Sequence, residues 1–239
     1  MPEVKPGVLV MIPTLNERGN IAPLIDTILA LGTPGLEIII VDDDSPDGTG
    51  ELVEELARTR PALSLLRRPP PAGRGLAGRA GFLYALERGA SFLIEMDGDF
   101  SHHPRDIPKL LEAMNACDLA IGSRLAPGGS DRDRPAFRRC LTLFANAYAR
   151  CLLGLPVSDA NSGFRCFSRK ALEAVEPATL KSLGPTIIHE TLYRAVRAGL
   201  RLREVPIYFT DRKSGGSKLE LRGLAAGWLA ILRLRLTGR

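Results

Sequence analysis

Residues 93–104 read Leu-Ile-Glu-Met-Asp-Gly-Asp-Phe-Ser-His-His-Pro, and they set Asp97 and Asp99 one residue apart at the end of an apolar run. Two carboxylates that close repel unless they are solvated, paired with cations or shared by a metal ion. Asp-x-Asp spacing on a strand exit can turn both side chains to one side. It then offers hard oxygen donors to a divalent cation and leaves coordination positions for phosphate oxygens and water. An acidic turn would use the same letters, because Asp-Gly-Asp is also ordinary turn chemistry. His102 and His103 are adjacent and diverge on most backbones, which favours a supporting or capping role over joint ligation.

Three further stretches carry chemistry. Val-Asp-Asp-Asp-Ser-Pro-Asp-Gly-Thr-Gly-Glu, from residue 41, holds four aspartates within six residues. Asp47-Gly48 suits a turn, and a hydroxyl residue ahead of an acidic helix suits an N-cap. A carboxylate there, beside a nucleotide crevice, can accept hydrogen bonds from a base or ribose, and Asp42 or Asp43 is the candidate. Next, Gly73, Gly75, Gly78 and Gly81 make a glycine-rich run that is not a P-loop. A dinucleotide fingerprint would have to follow the first strand, where Pro-Thr-Leu-Asn-Glu stands instead. The run reads as a helix start with close packing, with Arg74 and Arg79 as phosphate contacts. Finally, Arg212, Lys213, Lys218 and Arg222 surround a Ser-Gly-Gly-Ser hinge. A solvated basic loop is the plainer reading, but a glycine segment bearing cations can also close over a diphosphate and stabilise a leaving group.

These residues must be positioned by the elements around them. Val8–Ile12, the run around Ile38–Ile40, Leu63–Leu66 and Phe92–Ile94 are short apolar segments, each followed by a turn. Between them lie stretches with apolar residues at helical spacing. Continuous apolar strands alternating with helices predict a mostly parallel α/β sheet covered on both faces, with ligands beyond the carboxyl ends of the strands. Asn16–Glu17, Asp42–Asp44 and Asp97–Asp99 should therefore converge on one edge. Downstream, a Gly-, Pro- and charge-rich loop precedes a helix from about Arg138 to Leu153, a second helix around His189 to Ala198, and a strand-like Leu-Arg-Glu-Val-Pro. No repeat and no dividing linker is evident.

Composition narrows the class of partner. Lys and Arg outnumber Asp and Glu by 32 to 27 in 239 residues, for a formal charge of +5, which favours anionic partners. Aromatic residues make up 5% and do not interleave with basic ones, which argues against a nucleic-acid surface. Cys117, Cys140, Cys151 and Cys166 lack the close pairing of zinc or redox motifs, so a reducing compartment is expected. No run reaches the ~20 apolar residues that span a bilayer, and the N-terminal apolar run is too short for a signal peptide. The expectation is a soluble or surface-associated cytosolic protein.

Taken in order, VMIPTLNERGNI, IIIVDDDSPDGT, RGLAGRAGF, MDGDFSHHP, IGSRLAPGG, NSGFRCFSRKAL and VPIYFTDRKSGGSKL resemble the family 2 glycosyltransferases with the GT-A fold, and most nearly the polyprenol-phosphate (dolichol-phosphate) mannose synthases. The likeness runs from about residue 8 to 222. It implies a Rossmann-like catalytic domain over 1–222 and inverting transfer of mannose from GDP-mannose to a polyprenyl phosphate. It further implies that Pro13, Leu15, Glu17, Val41 and Asp43 hold the nucleoside, and that Asp97, the backbone at Gly98, and Asp99 hold the diphosphate through Mg2+ or Mn2+. Arg212 and Lys218 would grip the donor phosphates, and Arg124 and Arg138 the acceptor phosphate. Asp99, Arg124 and Arg212 would carry catalysis. Leu15 stands where the family often has tyrosine, and Ser101 stands for a glutamine that resembles a third metal ligand.

Many relatives continue into transmembrane helices. Here the stretch 221–239, of which 223–239 is expected to be a separate C-terminal helix, reads as amphipathic, with Leu221, Leu224, Ala225, Trp228, Leu232 and Leu236 at helical spacing and Arg222, Arg233, Arg235 and Arg239 beside them. It would either pack on the body of the protein or lie on an anionic membrane on the cytoplasmic side, alone or with a membrane-anchoring partner. A UDP-glucose-dependent synthase and a non-catalytic nucleotide or lipid-phosphate binding module are the competing readings.

Overall fold

The computed structural model describes residues 7–132, 134–210 and 221–237, and the side chains of 221–226 and 237 lie outside that description. The apolar runs form strands β1 (Val8–Thr14), β2 (Leu36–Asp42), β3 (Leu63–Arg67) and β4 (Phe92–Glu95). Helices α1 (Arg18–Leu29), α2 (Thr49–Ala57) and α3 (Arg74–Glu87) connect them, so each crossover returns the chain parallel to its start. Helix α4 (Ile107–Ala113) then leads to β5 (Leu119–Ser123), α5 (Ala136–Leu153), β6 (Arg165–Ser168), α6 (Arg169–Ala174), α7 (Ile187–Arg197), β7 (Leu202–Pro206) and α8 (Leu221–Thr237).

The seven strands lie in the order β3-β2-β1-β4-β6-β5-β7. β6 runs antiparallel to both neighbours, and the other pairs are parallel. The sheet is therefore mostly parallel, as expected, with a single reversal in the middle.

Strand pleating divides the core in two, since successive side chains point to opposite faces. Val8, Val10, Ile12, Ile38 and Ile40 pack with Ile21, Leu24, Ile25 and Ile28 of α1 and Ile107 and Leu110 of α4. Leu9, Met11, Ile39 and Val41 face α3, α5, α6, α7 and part of α8. Helix α3 lies flush on the second face because of Gly81: a Cβ there would stand 2.5 Å from Met11 Cγ. The glycine run is thus a helix start with close packing, as its spacing suggested.

Candidate active site

The carboxyl ends of β1, β2 and β4 share one edge, and the turns that leave them bring the acidic residues together. Asp42, fully buried, ties two of those turns. It accepts hydrogen bonds from Thr14 Oγ1 at 2.8 Å, from the Ser45 amide at 2.9 Å and from Ser45 Oγ at 2.6 Å. That work is structural, and the neighbouring Asp43 is also buried and does not line the cavity described below. Asp43 is held in turn by Arg68 and by the Gly73 amide, 2.6 Å from Oδ2, at the start of α3. Asn16, Asp44 and Phe100 all take left-handed backbone at these exits. Asn and Asp tolerate it, whereas for the bulky Phe100 it is strain stored one residue after Asp99.

Pro13, Leu15, Glu17, Arg74, Asp97, Gly98, Asp99, Asn161, Gly163, Pro185 and Ile188 line one cavity of about 330 Å3. Six of these positions were expected from the sequence as donor-site residues: Pro13, Leu15, Glu17, Asp97, Gly98 and Asp99. Val41, expected at the nucleoside, does not line the cavity. Its side chain is fully buried against α3, so it offers a ligand nothing but backbone. Ser101 is likewise buried and does not line the cavity; its amide donates to Asp99 Oδ1 at 3.0 Å and fixes that carboxylate. Arg79 is not among the lining residues, whereas Arg74 is. Arg212 and Lys218 lie outside the described residues.

His102 steadies the Asp97–Asp99 turn. Its Nδ1 accepts from the Asp97 amide at 3.2 Å, so the proton sits on Nε2 and the ring is neutral. Burial pushes its pKa down, which agrees with that tautomer. The ring stacks on Phe164 at 5.1 Å and meets the edge of Phe209 at 5.7 Å. His102 thus supports the acidic turn from behind.

Beneath the cavity lies a buried polar layer that sequence patterns do not announce. Glu95, fully buried on β4, contacts Arg74 Nη1 at 2.8 Å, and Arg74 Nη2 reaches Asp97 Oδ1 at 3.4 Å. Arg165, paired opposite Glu95 across the β4–β6 ladder, donates to the carbonyls of Ile188 and Ala160. Burial lowers its pKa to about 10, which leaves it cationic at neutral pH. Asn161 accepts from His189 Nε2 at 2.9 Å.

Arg124, expected at the acceptor phosphate, follows β5 and is buried. Its Nε donates to Asp159 Oδ2 at 2.6 Å and its Nη2 to Oδ1 at 3.3 Å, while the guanidinium stands 4.4 Å over the Phe209 ring. Asp159 is fully buried and takes a further bond from Asn146 Nδ2 at 3.4 Å. Arg138 lies half-buried on the first turn of α5.

Asp97 and Asp99 fit a hard divalent cation: both are carboxylates, both line the cavity, and the Asp97 side chain keeps 37% of its surface exposed. Among the described residues no third His, Cys, Asp or Glu completes a closed metal cage with them. A pair of ligands suits a cation that is shared with a diphosphate and with water.

The chain has known relatives in sequence and in fold. The sequence pattern of "Glycosyl transferase family 2" matches residues 9–176. The chain is 41% identical over 233 residues to a polyprenol monophosphomannose synthase of Mycolicibacterium smegmatis, covering 97% of this chain and 88% of the relative. It is 38% identical over 241 residues to an undecaprenyl-phosphate mannosyltransferase of Micrococcus luteus, covering 96% and 98%. A glucosyl-3-phosphoglycerate synthase from Mycobacterium tuberculosis, solved with Mn2+ and UDP-glucose, shares the fold with a TM-score of 0.68 at 21% identity, over 95% of this chain and 79% of that one. A mannosyltransferase from Pyrobaculum calidifontis, in complex with GDP-Man and Mn2+, superposes with a TM-score of 0.62 at 19% identity, over 99% and 65%. The chain belongs to glycosyl transferase family 2.

Proposed function

We propose that the protein transfers a mannosyl group from GDP-mannose to the phosphate of a polyprenyl phosphate, with inversion at the anomeric carbon. The observation that carries the reading is the cavity that gathers Asp97, Asp99 and a guanidinium at the strand ends. The relatives named above supply the donor sugar and the lipid class. In the reaction an acceptor phosphate oxygen bonds to the anomeric carbon as the bond from that carbon to the GDP oxygen breaks. The acceptor is already an anion, so no strong base is needed. The protein's work is to bring two polyanions together and stabilise the departing diphosphate.

Each residue has a part in that scheme. Leu15 and Glu17 border the nucleoside end, and Asp43 accepts from base or ribose. Asp97 and Asp99 hold the cation, Mg2+ or Mn2+, which when bound screens the diphosphate charge. Arg212 and Lys218, outside the described residues, are assigned to the donor phosphates by charge. Asp159 occupies Nε and Nη2 of Arg124 and leaves Nη1 without a hydrogen bond among the described residues, so Arg124 can present that nitrogen, with Arg138, to the acceptor phosphate.

The outer surface supports work at a membrane. Helix α5 buries Asn146, Ala149 and Leu153 and turns Phe137, Leu143 and Phe144 outward, at 74%, 54% and 56% exposure, with Arg139 and Arg150 alongside. Helix α8 packs on α5: Ile231 and Leu234 are buried, and the Trp228 ring lies 5.5 Å from Phe144. Leu229, Leu232 and Leu236 still face out. One face of the tail therefore packs on the body, as one of the two expectations had it, and another is turned outward. Exposed apolar residues flanked by arginines suit an anionic bilayer surface. No helix among the described residues is long and apolar enough to cross a membrane. We place the protein peripherally on a cytoplasmic membrane face, in keeping with four unpaired cysteines.

Incubation with labelled GDP-mannose and polyprenyl phosphate tests the reading. Label should enter the organic phase, and chelator should stop it. Transfer from UDP-glucose but not from GDP-mannose would replace the donor assignment, and no transfer from either would overturn the proposal.

A further inference from the structure

Arg74 supplies the guanidinium of the cavity, yet the scheme above gives it no task of its own. It is the first residue of α3, directly after the Gly73 amide that holds Asp43. Its guanidinium is split between two carboxylates, Glu95 Oε1 at 2.8 Å beneath and Asp97 Oδ1 at 3.4 Å inside the cavity. Glu95 is fully buried and neither of its oxygens has a hydrogen-bond partner, so the ion pair is what holds it in place and what anchors Arg74. Gly163 packs beside the pair: a Cβ there would lie in ordinary van der Waals contact, 3.4 Å from Arg74 Nη2 and 3.6 Å from Asp97 Oδ1.

We infer that Arg74 is a resident counter-cation of Asp97, exchanged for the divalent ion when the sugar nucleotide arrives. The inference rests on Asp97 and Asp99 being the metal pair. Without donor, a guanidinium fixed by Glu95 occupies one side of Asp97 and repels an incoming cation, so the ion alone binds weakly. A diphosphate changes that balance. Its oxygens match the guanidinium fork, Arg74 turns to them, and Asp97 is released to the metal. Metal and donor then bind with positive coupling, and by linkage each raises the affinity of the other by the same factor. Arg74 is thus a positioning residue that makes loading of the site ordered, and Glu95 is its anchor.

The test is Mn2+ binding to the full chain, read by electron paramagnetic resonance of the free ion and by calorimetry, with and without GDP. The wild type should bind Mn2+ more tightly with GDP present. Arg74→Met should bind Mn2+ alone about tenfold more tightly, within the usual range of coupling energies, and should keep only the part of the GDP dependence that comes from the diphosphate's own contact with the ion. Arg74→Met/Glu95→Gln removes the buried charge left behind and should behave the same way, which covers failure of the single variant to fold. Arg74→Lys, a cation without the fork, should keep weak binding of the ion alone. Unchanged or weaker Mn2+ binding by both methionine variants in the absence of GDP would overturn the inference. Asp97→Asn separates the two readings: if it leaves Mn2+ binding intact, the metal assignment itself fails, whatever Arg74 does.

Discussion

The Arg124–Asp159 pair offers the sharpest test of how this site is held. Asp159 is fully buried and accepts from Arg124 through Nε at 2.6 Å, Nη2 at 3.3 Å and the backbone amide at 3.2 Å. Opposite charges ~4 Å apart attract by about 4 kcal/mol at an effective permittivity near 20. Desolvation of both groups cancels much of that, so the intact pair adds little net stability. Removing one partner is another matter. Asp159→Ala strands a buried guanidinium and takes an acceptor from Asn146, and should cost about 3–5 kcal/mol. For a chain of this size that lowers the melting temperature by roughly 6–20 °C. Arg124→Met/Asp159→Leu deletes both charges and should recover to within about 1–2 kcal/mol of wild type. The recovered fold should still fail to transfer mannose, because the nitrogen offered to the acceptor phosphate is gone. Urea melts of the three proteins, with transfer assays on the same samples, give the comparison. Loss of less than about 1 kcal/mol in Asp159→Ala, or a double variant no more stable than the single, would refute the reasoning.

Other consequences follow from named contacts. Burial, and after it the charge of Arg165, depresses His189 to about 3, so the folded state binds fewer protons than the unfolded chain below its ordinary value of about 6.5. Stability should therefore be unaffected by this group above about pH 6.5 and fall by up to about 1.4 kcal/mol per pH unit as pH drops towards 3. His189→Gln should lack that slope in denaturant melts, so its stability difference from wild type should be constant above about pH 6.5 and change steadily below it, and identical pH slopes in the two proteins would contradict it. Replacing Phe137, Leu143 and Phe144 together with Asp should cut flotation on anionic vesicles at least about tenfold while leaving secondary structure unchanged, given ~1.5–3 kcal/mol for each buried large apolar side chain. Unaltered flotation would remove α5 from the membrane face. Asp99→Asn should reduce transfer by about two orders of magnitude or more, of the size seen when one electrostatic stabiliser is lost, with GDP binding weakened in parallel. Near-normal turnover would mean that the acidic pair is not the centre.

Much of the sheet is legible in the sequence because each early strand is a continuous apolar run that ends at a turn. β6 is not. Its four residues, Arg165–Ser168, are too few to show a period, and Arg165 would count against a buried strand if its acceptors at Ile188 and Ala160 were unknown. The same holds for α4, seven residues that carry Pro108 at the second position and follow Pro104 closely. In the site, Asp97 and Asp99 can be read from spacing at a strand exit, whereas the choice between Asp42 and Asp43 depends on Thr14 and Ser45 folding back onto the former. Glu95, Asp159 and His189 carry no local signal at all. Their roles exist only through partners at least 13 residues away in sequence, such as Asn146 for Asp159 and Asn161 for His189.

Crystals grown with GDP-mannose and Mn2+ test the central claim most directly through the anomalous signal of the metal. The account predicts one strong peak at coordination distance, about 2.0–2.3 Å, from carboxylate oxygens of both Asp97 and Asp99, and bridged to the donor's diphosphate. A peak held by other residues, or a diphosphate seated away from these two aspartates, would contradict it.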